Sequence, residues 1–111
     1  NGSLYIHSSR GYTRDGRIKP DLAAPGVNIR IGEGEGGAVV SGTSYATPFV
    51  TAAAALLMEY GIVQGNDPFL YGEKVKAYLH AGARQLPGYD IWPNDQVGWG
   101  ALCVSESLPE K

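Results

Sequence analysis

A serine lies where a short β-branched segment meets a long apolar helix. Ser44 follows Gly42 and Thr43, and the apolar run over residues 49–58 begins shortly after it. The first N–H groups of a helix have no partner inside the helix, and the helix dipole favours negative charge at that end. The backbone would therefore stabilise an anion forming beside Ser44. The position suits a nucleophilic serine, and it equally suits a serine that only caps a helix.

Three stretches of the chain carry a recognisable pattern. The residues Gly42-Thr43-Ser44-Tyr45-Ala46-Thr47-Pro48 resemble the nucleophile motif G-T-S-x-A-x-P of the subtilisin-like serine proteases, the subtilases. Residues 8–21 and the following Ala24-Pro25-Gly26-Val27 are similar to the stretch that precedes this motif in the family. Val97-Gly98-Trp99-Gly100 resembles the last glycine-rich turn of the family. The resemblance covers roughly the first 60 residues well and weakens towards the C-terminus.

The resemblance implies a fold and a role for each motif residue. The fold class is α/β, as part of a subtilisin-like doubly wound, mostly parallel sheet with a buried central helix. By this resemblance Ser44 is expected to be the nucleophile that attacks a peptide carbonyl, and its own N–H is expected to contribute to the oxyanion hole. Gly42, Thr43 and Pro48 support the motif, with Pro48 expected near the end of the first turn. Residues 1–111 are expected to be the C-terminal portion of a catalytic domain.

A serine hydroxyl needs a base and a carboxylate to activate it. In subtilisin the chain order is Asp, His, Ser, so the resemblance places the first two upstream of this chain. The sequence around His7 and His80 does not match the family's His-Gly-Thr-His-like block. His7 is expected at a strand end, and His80 on a partly exposed helix. Asn1 and Asn28 do not match the family's oxyanion asparagine, and hydrolysis by this chain alone is not expected.

Two other functions stay open on the sequence. A non-catalytic subtilase relative could have lost the upstream Asp or His and act as a binding or regulatory protein. An unrelated α/β domain could carry Ser44 as a capping residue only. The presence or absence of the upstream histidine block would decide between a protease and a pseudoprotease.

Composition limits the cofactors and partners. A net charge of −2 gives no reason to expect nucleic acid or an anionic membrane, and no apolar stretch is expected to reach the length of a membrane span. Cys103 is the single cysteine, so it forms neither an internal disulfide nor a cysteine metal cluster. The resemblance leaves calcium possible in the full-length protein, but the spacing of Asp90, Asn94 and Asp95 fits no defined calcium loop, and the glycine-rich residues 32–37 lack a phosphate-binding lysine. No cofactor is predicted.

Asp15 and Asp21 are expected in a solvated turn, and Trp92 and Trp99 are expected to pack in the core or in turns.

The expected partners follow from these assignments. They are a polypeptide substrate and the N-terminal part of the same protease. The chain by itself could self-associate, because the apolar helix needs cover on all sides. The resemblance alone suggests a secreted or cell-surface protein.

Residue patterns predict the elements that position Ser44. Strands are expected at residues 4–7, 27–31 and 38–40, with a flexible turn at 32–37. A helix apolar on nearly every face is expected from about Thr43 to Tyr60, with Gly61 as its stop. A second helix is expected from an Asn66-Asp67-Pro68 cap to about Ala83. Residues 90–95 are expected to form a loop, and residues 105–111 a frayed tail.

Overall fold

The computed structural model of the chain describes residues 3–109. Its strands are β1 (Ile29–Ile31) and β2 (Ala38–Val40), and its helices are α1 (Thr43–Met58), α2 (Glu73–Ala81) and α3 (Val104–Ser107). A 3-10 turn, Gly34–Gly36, joins the two strands, and a π-helical turn, Glu59–Val63, continues α1. The hairpin therefore leads directly into the helix that carries Ser44.

The two strands form an antiparallel hairpin in which Ile29 pairs with Val40 and Ile31 with Ala38. They confirm the strand predicted at residues 38–40 and the C-terminal part of the one predicted at residues 27–31. The predicted start at Val27 is wrong, because Val27 and Asn28 form a bend before the strand. The prediction of a strand at residues 4–7 is wrong. The Ser8 N–H bonds to the Tyr5 carbonyl at 2.9 Å and closes a turn there. Strands need a partner, and none of the described segments pairs with this one.

Helix α1 begins at the predicted residue but does not stop at Gly61. The Leu70 side chain packs so closely on Gly61 that an added Cβ would lie 2.6 Å from the Leu70 Cβ. The Asp67 N–H also donates to the Gly61 carbonyl at 3.0 Å. Gly61 is therefore a site of close packing inside the π-helical turn, and the prediction of a helix stop is wrong.

One face of α1 is covered by the described part of the chain. Ala53 and Leu57 are buried in a core that also contains the side chains of Leu70, Val75 and Leu79. On other faces, Phe49, Leu56 and Met58 remain 42%, 48% and 36% exposed. The expectation of a helix covered on all sides is therefore not met by residues 3–109 alone.

The helical segment Thr43–Val63 has 21 residues and is long and apolar enough to cross a membrane by length and composition. The expectation that no stretch reaches this length is therefore wrong, because the helical run includes the residues of the motif and of the π-helical turn. Core helices of soluble proteins meet the same criterion.

Helix α2 is shorter than predicted at both ends. The Asp67 carboxylate accepts the Phe69 N–H at 3.0 Å and also binds the Lys74 ammonium. Asp67 thus closes a turn before the helix, and α2 starts only after Gly72. Its buried face consists of Val75 and Leu79.

The C-terminal segment is more ordered than a frayed tail. Residues 104–107 form α3, whose Ser107 is buried and donates its hydroxyl to the Cys103 carbonyl at 2.7 Å. Residues 110 and 111 of the predicted tail lie outside the described residues. Before α3, Ala101 exchanges two backbone hydrogen bonds with Arg84 and forms a parallel bridge with Ala23. The segment thus joins the end of α2 to the chain that precedes β1.

Candidate active site

Ser44 is the second residue of α1, and it is exposed. The N-cap residue is Gly42 and makes no side-chain cap bond, so Ser44 does not cap the helix. Within residues 3–109 the Ser44 hydroxyl has no hydrogen-bond partner, and the N–H groups of Thr43 and Ser44 have no acceptor. Unbonded N–H groups at a helix start stabilise negative charge. The fold therefore puts an accessible hydroxyl beside donors that could receive an oxyanion.

Gly42 provides the bend between β2 and α1. Its backbone has φ 149° and ψ 162°, a combination that is essentially restricted to glycine. Space is not the constraint, because an added Cβ would lie 3.6 Å from the Tyr45 ring. The Gly42 N–H donates to the Gly26 carbonyl at 2.8 Å, and the Gly42 carbonyl accepts the Ala46 N–H at 3.3 Å. The residue therefore ends the extended segment and opens the helix at once.

Thr43 and Pro48 shape the first turns of α1. The Thr43 carbonyl accepts the Thr47 hydroxyl at 2.9 Å. Pro48 lies inside the helix, beyond the first turn in which it was expected. Because proline has no N–H, the Ser44 carbonyl lacks the helical bond it would otherwise receive. The local backbone around Ser44 is therefore less constrained by helix bonds than a regular helix would be.

Neither histidine is bonded to Ser44. His7 is exposed and packs edge-on against Tyr5, with ring centroids 5.3 Å apart. It does not end a strand, contrary to the expectation. His80 is on α2, as predicted, and is stacked on Trp99 at 5.6 Å. Within residues 3–109, neither histidine is therefore placed to act as the base for Ser44.

Asp21 is the centre of a charged cluster that the sequence did not indicate. Its carboxylate accepts hydrogen bonds from the Lys19 ammonium at 2.9 and 3.0 Å, and it lies 3.6 Å from Lys76 Nζ and 3.7 Å from His80 Nε2. Burial raises the pKa of Asp21, but the Lys19 hydrogen bond and the charges of Lys76, Lys19 and His80 together hold it below its ordinary value. The Asp21 carbonyl also accepts the Trp99 N–H at 2.9 Å. Asp21 lies in a bend with its side chain 36% exposed, as expected for a solvated turn, and its ion pairs in addition tie that turn to α2.

Burial is the main influence on His80. Its side chain is 18% exposed, and Nε2 is buried without a hydrogen-bond partner. This burial lowers the pKa of His80 below its ordinary value, against the opposing attraction of Asp21 and with a smaller contribution from Lys76 and Lys19. The unfolded chain then binds a proton more readily than the folded one. The free energy of unfolding is therefore expected to fall as the pH drops below about 6.5.

A pH titration of stability checks this expectation. The measurements use a Ser44→Ala background, which avoids self-digestion. The denaturant concentration at the midpoint of unfolding should decrease as the pH is lowered from 8 to 5, and His80→Gln should make this decrease smaller. His7→Gln is the matched control, because His7 is exposed. An unchanged slope in His80→Gln would contradict the role of burial.

The remaining candidate residues have structural positions. Asp15 is exposed and paired with Arg17 at 3.0 Å, as expected for a solvated turn. Trp92 packs against Tyr89 with ring centroids 5.6 Å apart. The Asn94 side-chain oxygen accepts backbone N–H groups of its own turn at 2.9 and 3.1 Å. Among the side chains of residues 3–109, no group of His, Cys, Asp and Glu is arranged to hold a metal ion.

Comparison with known proteins identifies the family of the chain. A family model described as the subtilase family matches residues 1–100. The serine protease AprX of Bacillus subtilis is 33% identical over an alignment 122 residues long, which covers 92% of this chain and 24% of AprX. Pyrolysin of Pyrococcus furiosus is 38% identical over 91 residues, which cover 79% of this chain and 6% of pyrolysin.

Solved structures give the same result for the fold. The Clostridium perfringens CspB protease matches with a TM-score of 0.85 and 45% identity over 94% of this chain and 22% of CspB. The prenylagaramide maturation protease PagA matches with a TM-score of 0.60 and 33% identity over 78% of this chain and 31% of PagA. These matches confirm the α/β subtilase fold. Residues 3–109 contribute the antiparallel hairpin, one parallel bridge and two antiparallel bridges to its sheet contacts.

The chain spans less than a third of each of these relatives. The matches nevertheless include most of its own length, and they exclude an unrelated α/β domain. The chain belongs to the subtilase family of serine proteases.

Proposed function

We propose that the chain is the nucleophile-bearing C-terminal portion of a subtilisin-like serine endopeptidase, with Ser44 as the nucleophile. The observation that carries this proposal is the exposed, unbonded Ser44 hydroxyl at the start of α1, beside N–H groups without acceptors. A serine with only a structural role would be expected to use its hydroxyl as a cap or a packing contact.

The proposed reaction is acyl transfer to serine followed by hydrolysis. The Ser44 oxygen attacks the peptide carbonyl carbon while an imidazole base from the upstream part of the protein takes the hydroxyl proton. The carbonyl oxygen becomes an oxyanion, which the Ser44 N–H and the start of α1 stabilise. The C–N bond then breaks, and the amine leaves with the proton from the imidazole. Water, activated by the same base, releases the carboxylic acid and restores Ser44.

The upstream part of the protease would supply the base, its carboxylate partner and the second oxyanion donor. Two observations on the described chain support this division. Neither His7 nor His80 is bonded to Ser44, and α1 leaves Phe49, Leu56 and Met58 partly uncovered. Full burial of an exposed side chain of this kind stabilises a protein by about 1.5–3 kcal/mol. Covering the exposed part of each of the three would contribute a fraction of that, so the apolar helix favours cover from the rest of the catalytic domain. The substrate would be a polypeptide, and no cofactor takes part.

Labelling with a fluorophosphonate probe tests the proposal. In the full-length protein we expect covalent modification at Ser44, because the probe reacts with serines that a base has activated. The separate 111-residue chain should remain unlabelled under the same conditions. Peptide mapping by mass spectrometry would locate the adduct.

Two results would contradict the proposal. No labelling of Ser44 in a folded full-length protein with its upstream histidine block intact would favour a non-catalytic subtilase relative. Labelling of the separate chain at the same rate would show that no upstream group activates Ser44.

A further inference from the structure

Two hydrogen bonds extend the hairpin beyond its last strand pair towards Ser44. The ladder of β1 and β2 ends where Ile29 faces Val40. One residue further, the Asn28 N–H donates to the Ser41 hydroxyl oxygen at 2.9 Å. The Gly42 N–H then donates to the Gly26 carbonyl at 2.8 Å. The Ser41 side chain thus supplies an acceptor just beyond the end of the strand ladder.

Asn28 has a backbone conformation that needs support. Its φ is 55°, and it is the one non-glycine residue with a positive φ among residues 3–109. Asparagine tolerates the left-handed region better than most residues, yet this region remains uncommon for a residue with a side chain. The hydrogen bond to Ser41 fixes the N–H of this residue. Strain of this kind gathers at functional sites and persists where neighbouring contacts hold it.

The Ser41 contact lies directly before the turn that presents Ser44. Gly42 follows Ser41 in its glycine-restricted conformation, and α1 starts at Thr43. A rotation of the backbone at Ser41 would therefore be passed to the Ser44 oxygen and to the N–H groups beside it. Displacement of a reacting group by about 1 Å costs on the order of 10²-fold in rate.

We infer that Ser41 is a positioning residue for the Ser44 nucleophile. Its hydroxyl oxygen holds the Asn28 N–H and thereby fixes the approach of the chain to Gly42 and Ser44. Ser41 needs no contact with the substrate for this role. The inference rests on the proposed function of Ser44.

The test compares Ser41→Ala with Ser41→Thr in the full-length protease. We expect Ser41→Ala to lower kcat by about three- to tenfold, the scale of one hydrogen bond, with KM unchanged within about twofold. The rate of fluorophosphonate labelling at Ser44 should fall by the same factor. Ser41→Thr keeps a hydroxyl acceptor and should restore both rates.

The matched control is Thr51→Val. Thr51 is exposed on the same helix, and its hydroxyl donates to the Thr47 carbonyl at 3.2 Å, away from the Gly42 turn. This variant should keep kcat at the original value. An equal fall in kcat for Thr51→Val and Ser41→Ala would overturn the inference, because it would indicate a general loss of stability.

A double-mutant cycle with Asn28→Gly separates positioning from other effects. Glycine adopts the positive φ of residue 28 without help, so Ser41→Ala should lose less activity in this background. Additive losses would overturn the inference, as would an unchanged kcat in Ser41→Ala alone.

Hydrogen exchange separates this inference from the proposed function. The Asn28 N–H should exchange faster in Ser41→Ala whether or not the protein is a protease. Unlabelled wild-type protein would defeat the proposed function of Ser44. If the wild-type protein is labelled but the Asn28 N–H exchanges at the same rate in the wild type and in Ser41→Ala, only the role of Ser41 would be defeated.

Discussion

Ser44→Ala is expected to lower kcat/KM on a polypeptide substrate by about 10⁴–10⁶-fold in the full-length protease. The change removes the attacking oxygen and leaves the backbone donors of α1 in place. The residual rate would come from substrate binding and from those donors alone. A small exposed side chain at this position should change stability little, so unfolding of the variant should match the wild type.

Ser105→Ala is the matched control for this experiment. Ser105 is also exposed and is also the second residue of a helix, α3. Its removal should leave kcat/KM unchanged, because the Ser105 hydroxyl is hydrogen-bonded to Cys103 Sγ at 3.5 Å, within the C-terminal segment and not at the Gly42 turn. Purified Ser44→Ala protein that retained more than about a hundredth of the wild-type rate would be inconsistent with Ser44 as nucleophile. Mass spectrometry must first establish that the preparation is free of wild-type enzyme.

Local signals were sufficient to predict the elements around Ser44. The alternation in β1, the glycine-rich turn and the Gly-Thr-Ser start of α1 act over a few neighbouring residues, and the structure has each of them. The site itself was less accessible from sequence. The contact between Asn28 and Ser41 depends on hairpin register, and the sequence pattern placed Asn28 inside a predicted strand, whereas the observed strand starts one residue later.

Tertiary contacts decided the features that the sequence did not predict. Gly61 looked like a helix stop, but the approach of Leu70 made it a packing position inside the continued helix. The cluster at Asp21 brings together Lys19 and two α2 residues, Lys76 and His80. Lys19 is two residues from Asp21, but Lys76 and His80 are distant in the chain, so no window of sequence contains the whole cluster. The burial of Gly61 and the ion pairs of Asp21 therefore follow from the fold and could not be deduced from either segment alone.

Gly98→Ala is expected to destabilise the protein by about 3–5 kcal/mol. Gly98 has φ 60°, and an added Cβ would lie 2.2 Å from the Pro20 carbonyl oxygen and 2.3 Å from that of Asp21. Both neighbours are backbone atoms, and the Asp21 carbonyl is held by the Trp99 N–H at 2.9 Å. Gly98 also exchanges two 3.0 Å hydrogen bonds with Asn94, so neither side can move away cheaply.

The loss would be a large part of the 5–15 kcal/mol by which a typical domain is stable. Denaturant unfolding in the Ser44→Ala background would measure it, and Gly88→Ala is the matched control. Gly88 also has a positive φ, 92°, but an added Cβ would meet no atom within 4 Å. Gly88→Ala therefore carries only the conformational cost, about 1–2 kcal/mol. The two glycines share the sign of φ and differ in packing. The difference in the free energy of unfolding between the two variants therefore measures the contact of the turn at Gly98 with residues 20 and 21. Equal losses would mean that the turn can withdraw from Asp21, and the C-terminal segment would then not hold the chain that leads to β1 and Ser44.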